Sequence, residues 1–233
     1  MPIVIITGAS KGFGLAMAHQ FAAAGYSILA CARSETGLYE MVQHFQNTYP
    51  NSTIKALPVD MSIEEEAKSF GNWCLQFGTP DIVINNAGNF IPGSIHNEAE
   101  GILGKMISTN LYSAYHLTRT LLPSMINKKA GHIFNICSIA SLQAYSNGGS
   151  YSISKFALLG FSKNLREELK PHHIKVTSVL PGAAFTDSWI GSGISPERIM
   201  EANDIAKMVF SCSQLSVQAV VEDIVLRPQL GDL

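Results

Sequence analysis

The chain has 233 residues, of which 46% are hydrophobic and 15% are charged, and its formal net charge is −2. This length suffices for one large α/β domain over residues 1–233, and the charge gives no reason to expect nucleic acid or an anionic membrane as a partner. The charged fraction is well below the usual ~25%, so we expect partner subunits to cover part of the surface.

Short β-branched runs alternate along the chain with stretches of helical spacing. About seven runs are predicted strands: IVIIT, SILACA, TIKALPV, DIVIN, HIFNICS, IKVTSVL and VQAVVEDIVL. About six stretches are predicted helices, among them LAMAHQFAAAG and FALLGFSKNLREELK. This alternation predicts right-handed crossovers and a Rossmann-type, doubly wound parallel sheet with helices on both faces.

Membrane, secretion and metal-binding signals are weak. No apolar run approaches the ~20 residues of a membrane helix, and the N-terminus carries no predicted secretion signal. No metal site is predicted from the seven histidines, whose one adjacent pair leads into a predicted strand. Four widely spaced cysteines form no C-x-x-C pair and are expected to be reduced, mostly buried thiols of a cytoplasmic protein: Cys31, Cys74, Cys137 and Cys212.

The first predicted strand is followed by the glycine-rich segment TGASKGFG, residues 7–14. Gly8, Gly12 and Gly14 give the spacing G-x-x-x-G-x-G instead of the common G-x-G-x-x-G. A loop between a strand and a helix can place a pyrophosphate at the helix N-terminus, and glycine lets the backbone approach the phosphates. On this motif alone, a tight structural turn is the alternative.

The tip of the second predicted strand reads CARS, residues 31–34. It carries Arg33 near the position where NAD sites usually have an acidic residue. Arginine can pair with a 2′-phosphate, and Lys11 in the glycine loop could reach the same group. Together these cations favour NADP over NAD, and the missing acid disfavours an S-adenosylmethionine-dependent methyltransferase.

Tyr151 and Lys155 are spaced i and i+4, which on a helix places both on one face. A neighbouring ammonium favours the phenolate, so we expect Lys155 to lower the pKa of Tyr151 from its ordinary ~10. Tyr151 could then exchange a proton with a forming alkoxide. The same spacing also occurs by chance on amphipathic helices.

Further segments complete a pattern that spans almost the whole chain. In order and approximate spacing, it resembles the short-chain dehydrogenase/reductase family: TGASKGFG, NNAG (residues 85–88), STNLYSAY (108–115), NICSIAS (135–141), YSISK (151–155) and PGAAFT (181–186). The glycine spacing is that family's form of the dinucleotide loop. The resemblance implies an enzyme that uses NADP(H) to interconvert a small-molecule carbonyl and an alcohol.

The resemblance also implies the catalytic residues. Tyr151 would be the general acid in reduction and the base in oxidation. Lys155 would lower its pKa and hold the nicotinamide ribose, and Ser138 would bind the substrate oxygen. Asn110 would hold a water that links Lys155 to solvent.

A cofactor-binding set follows from the same resemblance. Its members are Gly8, Ser10, Lys11, Gly12, Phe13, Gly14, Arg33, Asp60, Met61, Asn86, Ala87, Gly88, Tyr151, Lys155, Pro181, Gly182 and Thr186. Asp60 would contact the adenine, with an ordinary turn aspartate as the alternative. Asn86 and Gly88 would flank the adenosine ribose, and Thr186 would meet the carboxamide.

Substrate identity is less constrained. Only a short segment separates the PG motif from the next predicted helix near Pro196, which favours a small substrate or an open cleft. An apolar wall could come from Phe90, Ile91, Tyr145, Phe185, Trp189 and Ile190, with core packing as the alternative for each.

Two functional alternatives stay open beside a broad NADPH-dependent carbonyl reductase. One is 3-oxoacyl-carrier-protein reductase, although LRPQLGDL replaces the glycine-rich tail usual in those enzymes. The other is a non-catalytic NADP-binding sensor or scaffold. Family members commonly pair the helix around residues 102–125 and the helix over 151–170 across a two-fold axis, which implies a homodimer or homotetramer.

Overall fold

A computed structural model describes residues 1–186, 189, 191 and 193–232. The strands of the described residues are β1 (Ile3–Thr7), β2 (Ser27–Ala32), β3 (Ile54–Pro58), β4 (Ile82–Asn85), β5 (Gly131–Ile136), β6 (Ile174–Pro181), β7 (Ala184–Phe185), β8 (Met200–Glu201) and β9 (Asp223–Leu226). Seven strands form one parallel sheet in the order β3-β2-β1-β4-β5-β6-β9, and β7 pairs with β8 separately.

Helices connect these strands. They are α1 (Gly12–Ala23), α2 (Glu35–Thr48), α3 (Glu64–Leu75), α4 (Ile102–Ile107), α5 (Ser113–Lys128), α6 (Gly149–Leu169) and α7 (Ala202–Ser213). A π turn at Ser108–Tyr112 joins α4 to α5. These two helices therefore form one long helical segment, which agrees with the predicted count of about six helices.

The strand order creates a crevice at the carboxyl edge of the sheet. β1 pairs with β2 on one side and with β4 on the other. The chain winds outward through β2 and β3 and then returns to the far side of β1, and ligands of such sheets bind where this reversal occurs. The predicted Rossmann-type architecture is confirmed.

Both faces of the sheet are covered by apolar layers. Val4 and Ile6 are fully buried in a core that includes Met17 and Phe21 of α1. Ile5, which lies between them in sequence, is fully buried in the opposite core. Successive strand residues point to opposite faces, so a sheet covered on both sides requires continuous apolar runs such as IVII.

The last predicted strand, residues 217–226, is wrong in its first part. Only Asp223–Leu226 pair with β6, whereas Val217 is 85% exposed. Thr177 Oγ1 of β6 donates to the carbonyl of Val221 at 2.6 Å. A side chain of the neighbouring strand thus binds this carbonyl, and regular pairing begins only beyond it.

The segment after β6 also differs from the predicted helix near Pro196. A 3₁₀ turn spans Pro196–Arg198, and α7 begins at Ala202. Arg198 donates to the carbonyls of Gly231 and Asp232 at 3.0 and 3.1 Å. The C-terminal segment is thereby tied to the chain that follows the PG motif.

All four cysteines are buried and carry free thiols, as expected. Among the described residues, no helix combines the length and hydropathy needed to cross a bilayer. Within the same residues, no group of three histidine, cysteine or carboxylate side chains is arranged to hold a metal ion.

Candidate active site

Two hydroxyl groups meet at the carboxyl end of β5. Ser138 follows this strand and begins a 3₁₀ turn, where its Oγ accepts from the N–H of Ala140 at 3.1 Å. Tyr151 lies in the first turn of α6, and its phenol is close enough to Ser138 for that side chain to act on its pKa. The pair can offer two polar contacts to a single substrate oxygen.

Lys155 lies one turn further along α6 and is 5% exposed. Its Nζ donates to the carbonyl of Ile136 at 2.8 Å and lies 5.8 Å from the centre of the Tyr151 ring. Burial lowers the pKa of Lys155 to about 8. The structure thus places the ammonium beside the tyrosine, as the i, i+4 spacing predicts.

The expected lowering of the pKa of Tyr151 is wrong for this structure. Burial raises the pKa of Tyr151 to about 12, although the neighbouring Ser138 side chain acts in the opposite direction. The ammonium of Lys155 donates to a main-chain carbonyl, and the removal of the phenol from water has the largest effect on the pKa of Tyr151. Tyr151 therefore keeps its proton at neutral pH, in the form that can act as an acid.

Asn110 lies within the π turn and is 1% exposed. Its Oδ1 accepts from the N–H of Asn89 at 2.7 Å, and its Nδ2 donates to the carbonyl of Asn89 at 3.0 Å and to Oγ of Ser154 at 2.8 Å. π turns are frequent at functional sites. Asn110 fastens the segment after NNAG to α6, and its role in a water relay stays a prediction.

The glycine loop has a geometry that fits a dinucleotide pyrophosphate. Gly8 and Gly12 have positive φ values of 65° and 56°. A Cβ on Gly14 would lie 2.3 Å from the carbonyl oxygen of Gly8. Lys11 is the N-cap of α1, and a lysine side chain has only donors, so it cannot cap the first-turn amides. Those amides and the helix dipole suit an anion.

The NNAG segment is bound to the glycine loop. Asn86 Nδ2 donates to the carbonyls of Thr7 and Gly8 at 2.8 and 3.1 Å. In return, Thr7 Oγ1 accepts from the N–H groups of Asn86 and Ala87 at 3.0 and 2.9 Å. These bonds join the carboxyl ends of β1 and β4 and hold the shape of the crevice.

Two glycines allow close approach of neighbouring side chains in the crevice. A Cβ on Gly88 would lie 3.2 Å from Oδ1 of Asn110 and 3.5 Å from Nζ of Lys155. Across the crevice, a Cβ on Gly12 would lie 3.4 Å from Cγ2 of Thr186. The residues assigned to the two ends of the cofactor therefore lie along the same edge of the sheet.

Arg33 and Asp60 lie at the carboxyl ends of β2 and β3. Arg33 directly follows β2 and is exposed. Oδ1 of Asp60 accepts from the N–H and hydroxyl of Ser62 at 3.0 and 2.7 Å. Burial acts to raise the pKa of Asp60, but the Ser62 bonds and the Arg33 charge outweigh it and hold the pKa below its usual value. Asp60 forms a turn, and its adenine contact stays a prediction.

The remaining predicted cofactor residues lie along the same edge. Ser10 belongs to the glycine loop, and Phe13 of α1 packs partly against the core. Met61 is 5% exposed, so its side chain serves the fold. Pro181 ends β6, and Gly182 follows it directly.

Phe90 is the proposed wall residue with a defined contact to Tyr151. The two rings meet edge to face, with centroids 4.9 Å apart and an interplanar angle of 78°. Tyr145 is 45% exposed, and its phenol is near enough to act electrostatically on Tyr151. Of the other candidates, Ile91, Phe185 and Trp189 are partly buried, and Ile190 lies outside the described residues.

The model of the short chain dehydrogenase family matches residues 2–193. The chain belongs to the short-chain dehydrogenase family. The match extends from β1 beyond β7 and includes the glycine loop, NNAG and the Tyr151–Lys155 pair. The family predicted from the motifs is confirmed.

Three known proteins illustrate the relationships of this short-chain dehydrogenase. Dehydrogenase/reductase SDR family member 7B of Xenopus tropicalis is 37% identical over 185 residues, which cover 77% of this chain and 60% of the relative. Alcohol dehydrogenase from Thermococcus sibiricus, complexed with 5-hydroxy-NADP, is 26% identical with a TM-score of 0.90, over 98% of this chain and 97% of that one. L-Sorbose reductase from Gluconobacter frateurii, complexed with NADPH and L-sorbose, is 26% identical with a TM-score of 0.88, over 97% of this chain and 94% of that one.

Sequence reasoning missed three residues that organise the site of this short-chain dehydrogenase. They are Thr7, which binds the NNAG backbone, Ser154, which binds Asn110, and Glu98, which accepts from the hydroxyl and the N–H of Ser150. The partners are 80, 44 and 52 residues apart, respectively. Only the fold brings them together, so no local pattern could have identified them.

Proposed function

We propose that the protein is an NADP(H)-dependent oxidoreductase that interconverts a small-molecule carbonyl and the corresponding alcohol. The proposal is carried by the neighbouring hydroxyl groups of Ser138 and Tyr151, with the buried Lys155 one turn away. This group lies at the carboxyl edge of the sheet that also carries the N-terminus of α1. Membership of the short-chain dehydrogenase family supports oxidoreductase chemistry.

Tyr151 is the general acid in reduction. Its raised pKa keeps the phenol protonated, so it can donate that proton to the substrate oxygen. Ser138 donates a hydrogen bond to the same oxygen and stabilises the charge that develops there. Lys155 stabilises the phenolate that remains, and Asn110 holds the water through which the proton is replaced. In oxidation, Tyr151 accepts the proton.

NADP(H) is the proposed cofactor, and when bound it supplies or accepts the hydride. The amides of the glycine loop hold the pyrophosphate, and Lys11 and Arg33 hold the 2′-phosphate. Asp60 contacts the adenine, and Thr186 contacts the carboxamide. The bound NADP-type cofactors of the Thermococcus and Gluconobacter enzymes support this assignment.

A broad carbonyl reductase is favoured over the two alternatives. The segment LRPQLGDL from the end of the last strand is tied to Arg198 and differs in sequence from the glycine-rich segment usual at this place in 3-oxoacyl-carrier-protein reductases. A non-catalytic sensor or scaffold is disfavoured because Asn110, Ser138, Tyr151 and Lys155 are all present and lie together.

A homodimer or homotetramer is the proposed working form. Exposed apolar side chains lie on α4, α6 and the π turn between α4 and α5, at Leu103, Tyr112, Ile153 and Phe156. Pairing of these helices with a second copy would cover them. We also propose that residues 1–233 act as a single domain, and that the protein works in the cytoplasm, where its four buried thiols stay reduced.

The proposed function is tested by following NADPH absorbance with the purified protein and a panel of aldehydes, diketones, quinones, β-keto esters and a 3-oxoacyl thioester. NADH is run in parallel. We expect substrate-dependent oxidation of NADPH with at least one class, and slower oxidation of NADH. Tight NADPH binding without turnover of any carbonyl would favour the sensor or scaffold instead.

A further inference from the structure

Phe90 packs against the proposed proton donor and still keeps much of its ring in solvent. The ring contacts that of Tyr151 edge to face with centroids 4.9 Å apart, and the residue is 45% exposed. An exposed apolar ring costs free energy in water, and a ring fixed beside a reacting group provides a preformed contact surface for a ligand. Phe90 can provide such a surface only if the segment that carries it is held in place.

The residue before Phe90 is fixed by Asn110. Both main-chain polar groups of Asn89 are bound by the Asn110 side-chain amide, at 2.7 and 3.0 Å. The N–H of Phe90 donates to Oδ1 of Asn89 at 3.0 Å. Because Asn110 is itself buried and bonded to Ser154 of α6, the start of this segment is joined to the catalytic helix.

The chain after Phe90 is fixed to the start of the same helix. The N–H of Gly93 donates to the carbonyl of Asn147 at 3.1 Å, and Oγ of Ser94 donates to Oδ1 of Asn147 at 3.0 Å. Glu98 accepts from the hydroxyl of Ser150 and, at 3.4 Å, from its N–H. Phe90 thus lies on a segment that is bound on both sides to the elements around Tyr151.

The described residues around Tyr151 provide little charge recognition for a substrate. Tyr145, Cys137 and Lys155 are the titratable side chains that the described residues place near its ring or hydroxyl. Lys155 is bonded to a main-chain carbonyl, and the carboxylate of Glu98 is bonded to Ser150. Among the described residues, an aromatic wall whose neighbouring charged groups are already hydrogen-bonded favours a flat, apolar group.

We propose that Phe90 contacts the substrate and selects carbonyl compounds that carry an aromatic ring next to the carbonyl carbon. The inference rests on the proposed function, whose proton donor is Tyr151. An aryl group in this place would pack against Phe90 while the carbonyl oxygen meets Tyr151 and Ser138. Glu98 acts as a positioning residue, since it holds the segment that carries Phe90.

The first test compares kcat/KM for benzaldehyde and propanal in the NADPH-dependent reaction. The wild type is expected to prefer benzaldehyde, and Phe90→Ala to lose about tenfold with benzaldehyde but little with propanal. Phe77→Ala is the matched control, because Phe77 is 39% exposed and lies beyond the end of α3. Equal losses with both substrates, or no loss with benzaldehyde, would overturn the selective role of Phe90.

Variants of Glu98 separate positioning from simple loss of stability. Glu98→Ala is expected to reduce the preference for benzaldehyde, whereas Glu98→Gln keeps an acceptor for Ser150 and retains most of it. A structural defect alone would lower kcat for both aldehydes together. Unchanged preference in Glu98→Ala would exclude Glu98 from the positioning of Phe90.

A binding experiment distinguishes failure of this inference from failure of the proposed function. Calorimetry measures the affinity of benzyl alcohol for the NADP⁺-saturated protein, and Phe90→Ala is expected to weaken it about tenfold. If no carbonyl is reduced but the binding of benzyl alcohol depends on Phe90, the proposed reaction is wrong and the proposed aromatic site is supported. If benzyl alcohol does not bind, or binds equally to Phe90→Ala, the aromatic site is wrong even when other carbonyls are reduced.

Discussion

Burial moves the pKa values of Tyr151 and Lys155 in opposite directions. The pKa of the phenol rises to about 12, and that of the ammonium falls to about 8. At neutral pH the tyrosine carries its proton and the lysine carries most of its charge. This combination suits reduction, in which Tyr151 gives up a proton and Lys155 stabilises the resulting phenolate.

The pH dependence of the reduction rate should therefore follow the titration of Lys155. Its ammonium is present below the pKa of about 8 and is lost above it, so kcat/KM is expected to fall with the slope of one proton as pH rises through that value. The measurement is the pH profile with NADPH as cofactor. Lys163→Met, an exposed lysine of the same helix, should leave the profile unchanged. A profile that stays flat well above pH 8 would contradict the role of the ammonium.

Arg33 is the residue on which we propose that the choice of cofactor depends. Arg33→Asp removes a charge-assisted contact to the 2′-phosphate and adds repulsion, so the Kd of NADPH is expected to rise by about tenfold to a hundredfold. NADH lacks that phosphate and should bind nearly as before. Fluorescence titration with both cofactors measures the difference. Lys207→Asp, a charge reversal on α7, is the control, and equal weakening of both cofactors by Arg33→Asp would argue against the assignment.

Among the secondary-structure elements, the contact between strands β5 and β6 is sensitive to pH because it includes the buried His132. Its ring, 5% exposed on β5, is bonded to Oγ1 of Thr177 on β6 at 2.7 Å. The hydroxyl of Thr177 donates to the carbonyl of Val221, so it accepts from Nε2–H of His132. Burial lowers the pKa of His132 to about 3, and the folded protein keeps the ring neutral.

Acid should therefore destabilise the fold through His132. Because the folded pKa is depressed below 6.5, the unfolded chain binds a proton that the folded chain does not, and stability is lost as pH falls from 6.5 towards 3. Between pH 6.5 and 5, the wild type should lose about 1.5 kcal/mol more free energy of unfolding than His132→Gln. Urea denaturation at both pH values measures this. The exposed His96→Gln should behave like the wild type, and an equal loss in His132→Gln would contradict the prediction.

The order of strands and helices could be predicted because the inner strands are buried on both faces and leave continuous apolar runs. The predicted last strand is too long at its start. Residues 217–222 are mostly apolar and resemble a strand in sequence, but the carbonyl of Val221 accepts a hydrogen bond from the Thr177 side chain instead of from a neighbouring strand's backbone. The pKa of Tyr151 could not be predicted, because sequence shows the neighbouring charge of Lys155 and not the burial of the phenol. The clamp between Glu98 and Ser150 joins residues too far apart for any local pattern.

For the whole molecule, the apolar surface on the helices predicts self-association. Ile153 and Phe156 are 41% and 45% exposed on one helix. Phe156→Glu places a charge in the proposed interface and is expected to shift the protein to a smaller species in sedimentation experiments at micromolar concentration. Val217→Glu, at a residue 85% exposed and outside these helices, should leave the mass unchanged. A wild type that sediments as a monomer would contradict the interface.

If Tyr151 is the proton donor in a reaction that uses NADPH, its loss should stop turnover and leave cofactor binding intact. Tyr151→Phe removes the proton donor and leaves the glycine loop and Arg33 intact. The kcat for the best carbonyl substrate should fall at least about a thousandfold, while the Kd of NADPH from fluorescence titration changes little. Near-normal turnover in Tyr151→Phe would exclude Tyr151 as the proton donor, and a loss of NADPH binding that matched the loss of turnover would argue against a role confined to proton transfer.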